Sequence, residues 1–197
     1  SDANFAHTAQ LHTHVLNAND RVRRDFYEAI GHGVHNDLEK QRKSLDSAIT
    51  VIRTKSVDFC LASEVYEELF YSFAFEVECT EGLAIAEEYA YLARESGESE
   101  IELSAMIKTY QMAGCLGDSS QMKEIDAVVL QLLKAEPALH GKYFEYMGDY
   151  HFHMDEMPIA VAHYTEAKLF FERSGWIENV MDMNLFLADC YLELLNF

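Results

Sequence analysis

The stretch Phe144–Ala167, FEYMGDYHFHMDEMPIAVAHYTEA, decides the fold. Phe144, Met147, Gly148 and His151 stand at i, i+3, i+4 and i+7, which is one face of a helix. Asp155 to Pro158 interrupts the pattern, and Pro158 suits a first helical turn. Ala160, Tyr164 and Ala167 then mark the face of a second helix. Small residues at Gly148, Ala160 and Ala167 permit close helix contact, and Phe144 fills the space beside them. Phe70, Phe73, Ala74 and Val77, followed by Ala86, Ala90 and Ala93, repeat the arrangement. In both copies the small residue precedes the first alanine of the second helix by 12 positions.

Two weaker copies extend the array. Around Leu116-Gly117-Asp118 the turn is kept, but Tyr110 occupies the small position and Met122 replaces the alanine. Leu187-Ala188, Cys190-Tyr191 and Leu194 to Phe197 match a first helix and its turn. Anchors at Ala74, Tyr110, Gly148 and Ala188 give periods of 36, 38 and 40 residues. Outside these copies the pattern remains helical: there are 2 prolines and no alternating apolar–polar runs. Breaks fall at Gly31/Gly33, Lys55-Ser56, Thr80 to Gly82, Ser96-Gly97, Gly117-Asp118, Pro137 to Gly141, Asp155 to Pro158 and Ser174-Gly175. Ser119 and Ser120 are expected to cap the helix after Gly117-Asp118.

The aromatic/small/aromatic then Ala/aromatic/Ala frame resembles the tetratricopeptide repeat, in a form longer than the minimal one. The resemblance implies an all-α fold of helical hairpins stacked as a right-handed solenoid over residues 57–197, truncated at its C-terminal end. Residues 1–56 do not fit the frame and are expected to form an N-terminal helical cap. Within them Ser1-Asp2-Ala3 has the look of a vector scar.

Composition narrows the function. Fifteen Lys+Arg against 34 Asp+Glu give a net charge of −19 in 197 residues. The imbalance lies almost wholly after residue 56, so nucleic acid and anionic membrane are poor partners for the repeats. No uncharged apolar run approaches the roughly 18 residues of a membrane span. Cys60, Cys79, Cys115 and Cys190 show no metal-ligand spacing and stand in apolar contexts. They read as buried thiols in a reducing, cytoplasmic compartment.

No constellation supports catalysis, a metal or another cofactor. His151 and His153 are two apart and point in different directions on a helix, and His151 falls on a packing position. His7, His12 and His14 cluster without ligand spacing, and the paired acids Glu67-Glu68, Glu87-Glu88 and Asp155-Glu156 suit solvated faces. Neither a strained-turn nucleophile motif nor a phosphate-cradling glycine loop occurs.

In the tetratricopeptide family the first helix of each pair lines a concave groove. Carried onto this frame, the groove residues are Glu68, Tyr71, Phe75 and Glu78, then Ser104, Ile107 and Gln111. The third copy supplies Lys142, Glu145, Asp149, Phe152 and His153, and the fourth Asp182, Leu185, Asp189, Leu192 and Glu193. Acids and aromatics dominate, unlike the Lys/Asn clamps of chaperone-tail binders. The expected function is a non-catalytic sensor or scaffold module of a bacterial signalling or regulatory protein. Its groove would take a basic, partly apolar protein or peptide segment. The output, a diguanylate cyclase (GGDEF), histidine kinase or transcription regulator, would lie outside this chain. The alternative is a self-association module forming a homodimer through the apolar last helix; a helical enzyme is the remaining reading.

Overall fold

The computed structural model describes residues 17–35, 37–75 and 78–195, with no side-chain placement for Phe75. The expectations for Ser1-Asp2-Ala3, His7, His12 and His14 lie outside the described residues. Among the described residues nine α-helices follow one another: α1 (Ala18–Val34), α2 (Leu38–Thr54), α3 (Phe59–Phe75), α4 (Cys79–Ser96), α5 (Ser99–Cys115), α6 (Ser119–Ala135), α7 (His140–His153), α8 (Met157–Ser174) and α9 (Ile177–Leu195). A 3₁₀ turn, Pro137–Leu139, leads into α7. No helix among them is long and apolar enough to cross a membrane.

The chain divides into two compact units between Ser72 and Phe73, inside the last turn of α3. In the first, α1 and α2 pair antiparallel around Val22, Ala29, Leu45, Ala48 and Ile49. Asp25, 3% exposed, sits in that seam as an ion pair with Arg24 and accepts a hydrogen bond from Ser47 Oγ at 2.7 Å. A buried carboxylate is tolerated only with such partners. Gln41 Nε2 donates to Glu68 Oε1 at 2.5 Å, and Arg42 donates to the Ser72 carbonyl at 2.8 Å, which ties α2 to α3.

In the second unit each helix packs on its sequence neighbours: α4 on α5, α5 on α6, α7 on α8 and α8 on α9, with α5 also touching α7. This is the stacking that the repeated frame predicts. One core joins Leu103, Met106 and Ile107 of α5 to Ile125, Val129 and Leu133 of α6 and to Met147 of α7. The next joins Ala160, Tyr164, Ala167 and Phe171 of α8 to Met183 and Cys190 of α9.

The Gly148 position shows why the motif needs a small residue. A Cβ there would lie 2.5 Å from two ring carbons of Tyr164. One period earlier the sizes are exchanged: Tyr110 stands where Gly148 does, and Asp126 stands where Tyr164 does. Tyr110 and Asp126 interact; burial first, and that carboxylate second, push the phenol above its ordinary range. The degenerate copy therefore preserves the fit by trading large for small across the helix pair.

Several local expectations change. The break predicted at Gly31/Gly33 is absent, since α1 runs on to Val34. Gly82 lies inside α4, against Met112 and Phe73, because the turn falls earlier, before Cys79. Asp118, not Ser119 or Ser120, caps α6 by accepting from the Ser120 and Gln121 amides. Asp155, at φ 60°, takes the left-handed turn position that Gly117 holds in the preceding pair. The cysteine expectation is also corrected: Cys79 and Cys115 are joined in a disulfide, with Cα atoms 6.0 Å apart, and Cys60 is exposed. The antiparallel α4–α5 pair brings the start of one helix beside the end of the other, a proximity that the 36-residue gap concealed. Only Cys190 is a buried free thiol among the described residues.

Candidate partner-binding groove

The first helices of the second unit's pairs, α5, α7 and α9, carry the candidate face. On α5, Ser104 and Ile107 are buried and Gln111 is half-buried. Between them lies Lys108, also buried, whose ammonium donates to Ser104 Oγ at 2.8 Å. Sequence reasoning missed Lys108, although its i+4 spacing from Ser104 places it on the same face.

Lys142, Glu145, Asp149 and Phe152 follow on α7, all half-buried, with His153 exposed. Lys142 Nζ lies 3.2 Å from Glu145 Oε2 and 3.7 Å from Glu100, and stands 5.9 Å above the Phe171 ring. Lys142 Nζ donates to Glu145 Oε1 at 3.4 Å, while the buried Glu145 Oε2 accepts no hydrogen bond among the described residues. Burial raises the Glu145 carboxyl above its usual range, against the opposing pull of Lys142. Asp149 is raised likewise. Burial dominates, while a hydrogen bond from Tyr164 and the charges of His153, Lys108 and Lys142 act the other way. The Tyr164 hydroxyl donates to Asp149 Oδ1 at 2.7 Å, and the same phenol is driven far above its ordinary value by burial and by that carboxylate.

α9 has three faces. Met183 and Cys190 turn inward against α8. At 100° per residue, Asp182, Phe186, Asp189 and Glu193 share a second face about a quarter turn away. Met181, Leu185, Leu192 and Leu195 share a third, opposite the core, and all four are exposed. Leu185 and Leu192 therefore leave the groove set, and Phe186 enters it, packed at 5.3 Å against the Tyr164 ring. Asp149, Phe152, His153, Tyr164, Phe186 and Asp189 line a cleft of about 200 Å³.

Ser104, Ile107, Gln111, Lys142, Glu145, Asp149, Phe152, His153, Asp182, Asp189 and Glu193 all belong to the second unit, and of these the cleft brings together Asp149, Phe152, His153 and Asp189. Glu78 also belongs to that unit, at the N-terminal end of α4. Glu68 and Tyr71 lie in the first unit, where Gln41 engages Glu68. The side chain of Phe75 lies outside the description. Among the described residues no group of three or more His, Cys, Asp or Glu side chains is arranged to hold a metal ion.

The fold is that of tetratricopeptide-like helical repeats. Among solved structures, the apo form of RapI superposes with a TM-score of 0.60 at 9% sequence identity, over 98% of this chain and 73% of RapI. A Signal Transduction ATPase with Numerous Domains (STAND) protein with a tetratricopeptide repeat sensor, from Pyrococcus horikoshii, gives 0.58 at 14% identity. That match covers 90% of this chain and 28% of the STAND protein. No protein-family model and no curated protein matches the chain.

Proposed function

We propose that the chain is a non-catalytic binding module, the sensor or scaffold part of a bacterial signalling or regulatory protein. Its second unit holds a basic, partly apolar protein segment along α5, α7 and α9. The observation that carries this reading is the acidic, aromatic-lined cleft of about 200 Å³ between α7 and α9, on the face where tetratricopeptide-like folds take partners. One solved neighbour is described as carrying a tetratricopeptide repeat sensor, which fits the same role. Residues 1–56 act as the cap, residues 57–197 as the repeats, and an output domain such as a GGDEF cyclase, histidine kinase or transcription regulator belongs elsewhere in the whole protein. The cytoplasm is the compartment this reading assigns. The Cys79–Cys115 bridge weighs against it, since cytosolic thiols are held reduced.

The test is capture of displayed random nonapeptides. Captured sequences should be rich in Arg, Lys and aromatic residues and should be released by salt, because screening shortens the field to about 10 Å at 0.1 M. Asp182→Lys with Glu193→Lys should abolish capture, whereas Glu124→Lys with Glu166→Lys, on the second helices, should leave it intact. Equal loss from both pairs would mean unspecific electrostatics and would overturn the groove.

A second reading, self-association, is favoured by the exposed stripe Met181, Leu185, Leu192 and Leu195 on α9. Its face is distinct from the groove, so pairing of two chains there leaves the groove open.

A further inference from the structure

The cleft beside Asp149 has a more specific chemistry than the groove as a whole. Asp149 Oδ1 accepts a hydrogen bond from the Tyr164 hydroxyl at 2.7 Å. Asp189 reaches the same cleft from α9, and the rings of Phe152 and Phe186 stand beside the two carboxylates. We propose that this cleft is a slot for one arginine side chain of the bound segment, its guanidinium held by Asp149 and Asp189 and flanked by Phe152 and Phe186. The inference rests on the groove reading and narrows it to the side chain that anchors the partner.

Three physical features converge. Asp149 is raised by burial despite the pull of His153, Lys108 and Lys142, so the fold leaves its negative charge incompletely compensated. A partner cation would supply what is lacking. Aromatic faces add cation–π attraction, which strengthens when the cation is desolvated. A planar guanidinium can meet a carboxylate with two parallel donors and stack on a ring at once, which an ammonium cannot. Size agrees as well: a cleft of about 200 Å³ has room for a long side chain. Tyr164 acts as a positioning residue, because its bond at 2.7 Å fixes the rotation of the Asp149 carboxylate in the cleft wall.

The experiment is a titration at pH 7.5 and low salt with N-acetyl-arginine amide, followed through the ring-proton resonances of Phe152 and Phe186. Saturable shifts are expected, with N-acetyl-lysine amide weaker and the uncharged N-acetyl-citrulline amide weaker by about tenfold or more, the worth of one charged hydrogen bond. Asp189→Asn, at an exposed position, should weaken arginine about tenfold, and Asp182→Asn should not change it. Asp149→Asn should behave like Asp189→Asn, with folding checked by Trp176 fluorescence. Equal shifts with arginine and citrulline, or no effect of Asp189→Asn, would overturn the slot. If nonapeptides are captured through the groove while the arginine amide leaves both rings unmoved, the slot falls and the groove stands. If the arginine amide fills the cleft while Asp182→Lys with Glu193→Lys leaves peptide capture intact, the groove falls and the slot stands.

Discussion

Gly148→Ala adds one methyl group at the tightest helix contact of the α7–α8 pair. Elsewhere on a helix this change gains about 1 kcal/mol from propensity. Here the new Cβ would meet Tyr164 Cδ1 and Cε1 at 2.5 Å, well inside van der Waals contact. The ring has little freedom to retreat, because Tyr164 is 2% exposed, its hydroxyl is bonded to Asp149, and Phe186 packs on it. Overpacking of a filled core costs about 1–3 kcal/mol. Displacing the ring also strips the half-buried Asp149 of its hydrogen bond, worth about 1.5–3 kcal/mol for a charged acceptor. Cost exceeds gain, and the net expectation is a loss of about 1.5–5 kcal/mol, or roughly 3–20 °C in Tm for a chain of this size. The single tryptophan, Trp176, stacks on Phe171 in the same unit, so its fluorescence follows the relevant transition without contribution from the first unit. Tyr164→Leu should relieve the clash, and the double-mutant cycle should return a coupling of about 0.5–3 kcal/mol. An unchanged or raised Tm for Gly148→Ala would refute the reasoning, since it would mean the ring moves freely and the close contact is not what the motif protects.

Three other outcomes are expected. Sedimentation should show concentration-dependent association through α9, converted to monomer by Leu185→Lys with Leu192→Lys; a monomeric parent chain at high concentration would remove the self-association reading. His163 is lowered by burial and by the neighbouring His151, so its unfolded form takes up a proton first as pH falls. Its contribution to stability is present above the unfolded value of about 6.5 and is lost as pH drops toward the folded value, opposite in sign to the raised Glu145 and Asp149, so His163→Gln should raise the denaturation midpoint at pH 5 relative to pH 7.5 when compared with the parent chain. Reduction, or Cys115→Ser, should weaken α4–α5 by up to about 4 kcal/mol through the released 36-residue link, and hydrogen exchange in α4 should quicken correspondingly; unchanged exchange would show that the link contributes nothing.

Helix type, pair order and the close contacts at Gly148, Ala160 and Ala167 were legible in the amino-acid sequence. They depend on spacing along one chain: 3.6 residues per turn decides which side chains share a face, and a small residue announces a close neighbour. The same logic put Lys142, Glu145, Asp149 and Phe152 one turn apart on one face of α7. Periodicity alone did not show how charge is shared there. Glu145 and Asp149 read as free acids in a row, yet Lys142, Lys108 and Tyr164 reach them from three different helices, and burial reverses the direction in which each carboxylate is shifted.

Other features were decided only in three dimensions. A face has a direction that spacing does not supply, so Leu185 and Leu192 fit the groove by count but turn outward on α9, while Phe186 takes the place beside Tyr164. Glu68 falls in the first unit, where Gln41 takes it up. Cys79 and Cys115 lie 36 residues apart and become neighbours because two antiparallel helices bring the start of one beside the end of the other. The sequence by itself determined the local geometry, because that follows from backbone period and side-chain size. Only tertiary structure decided partners and electrostatics, because both depend on distances between segments and on how much water is removed from between them.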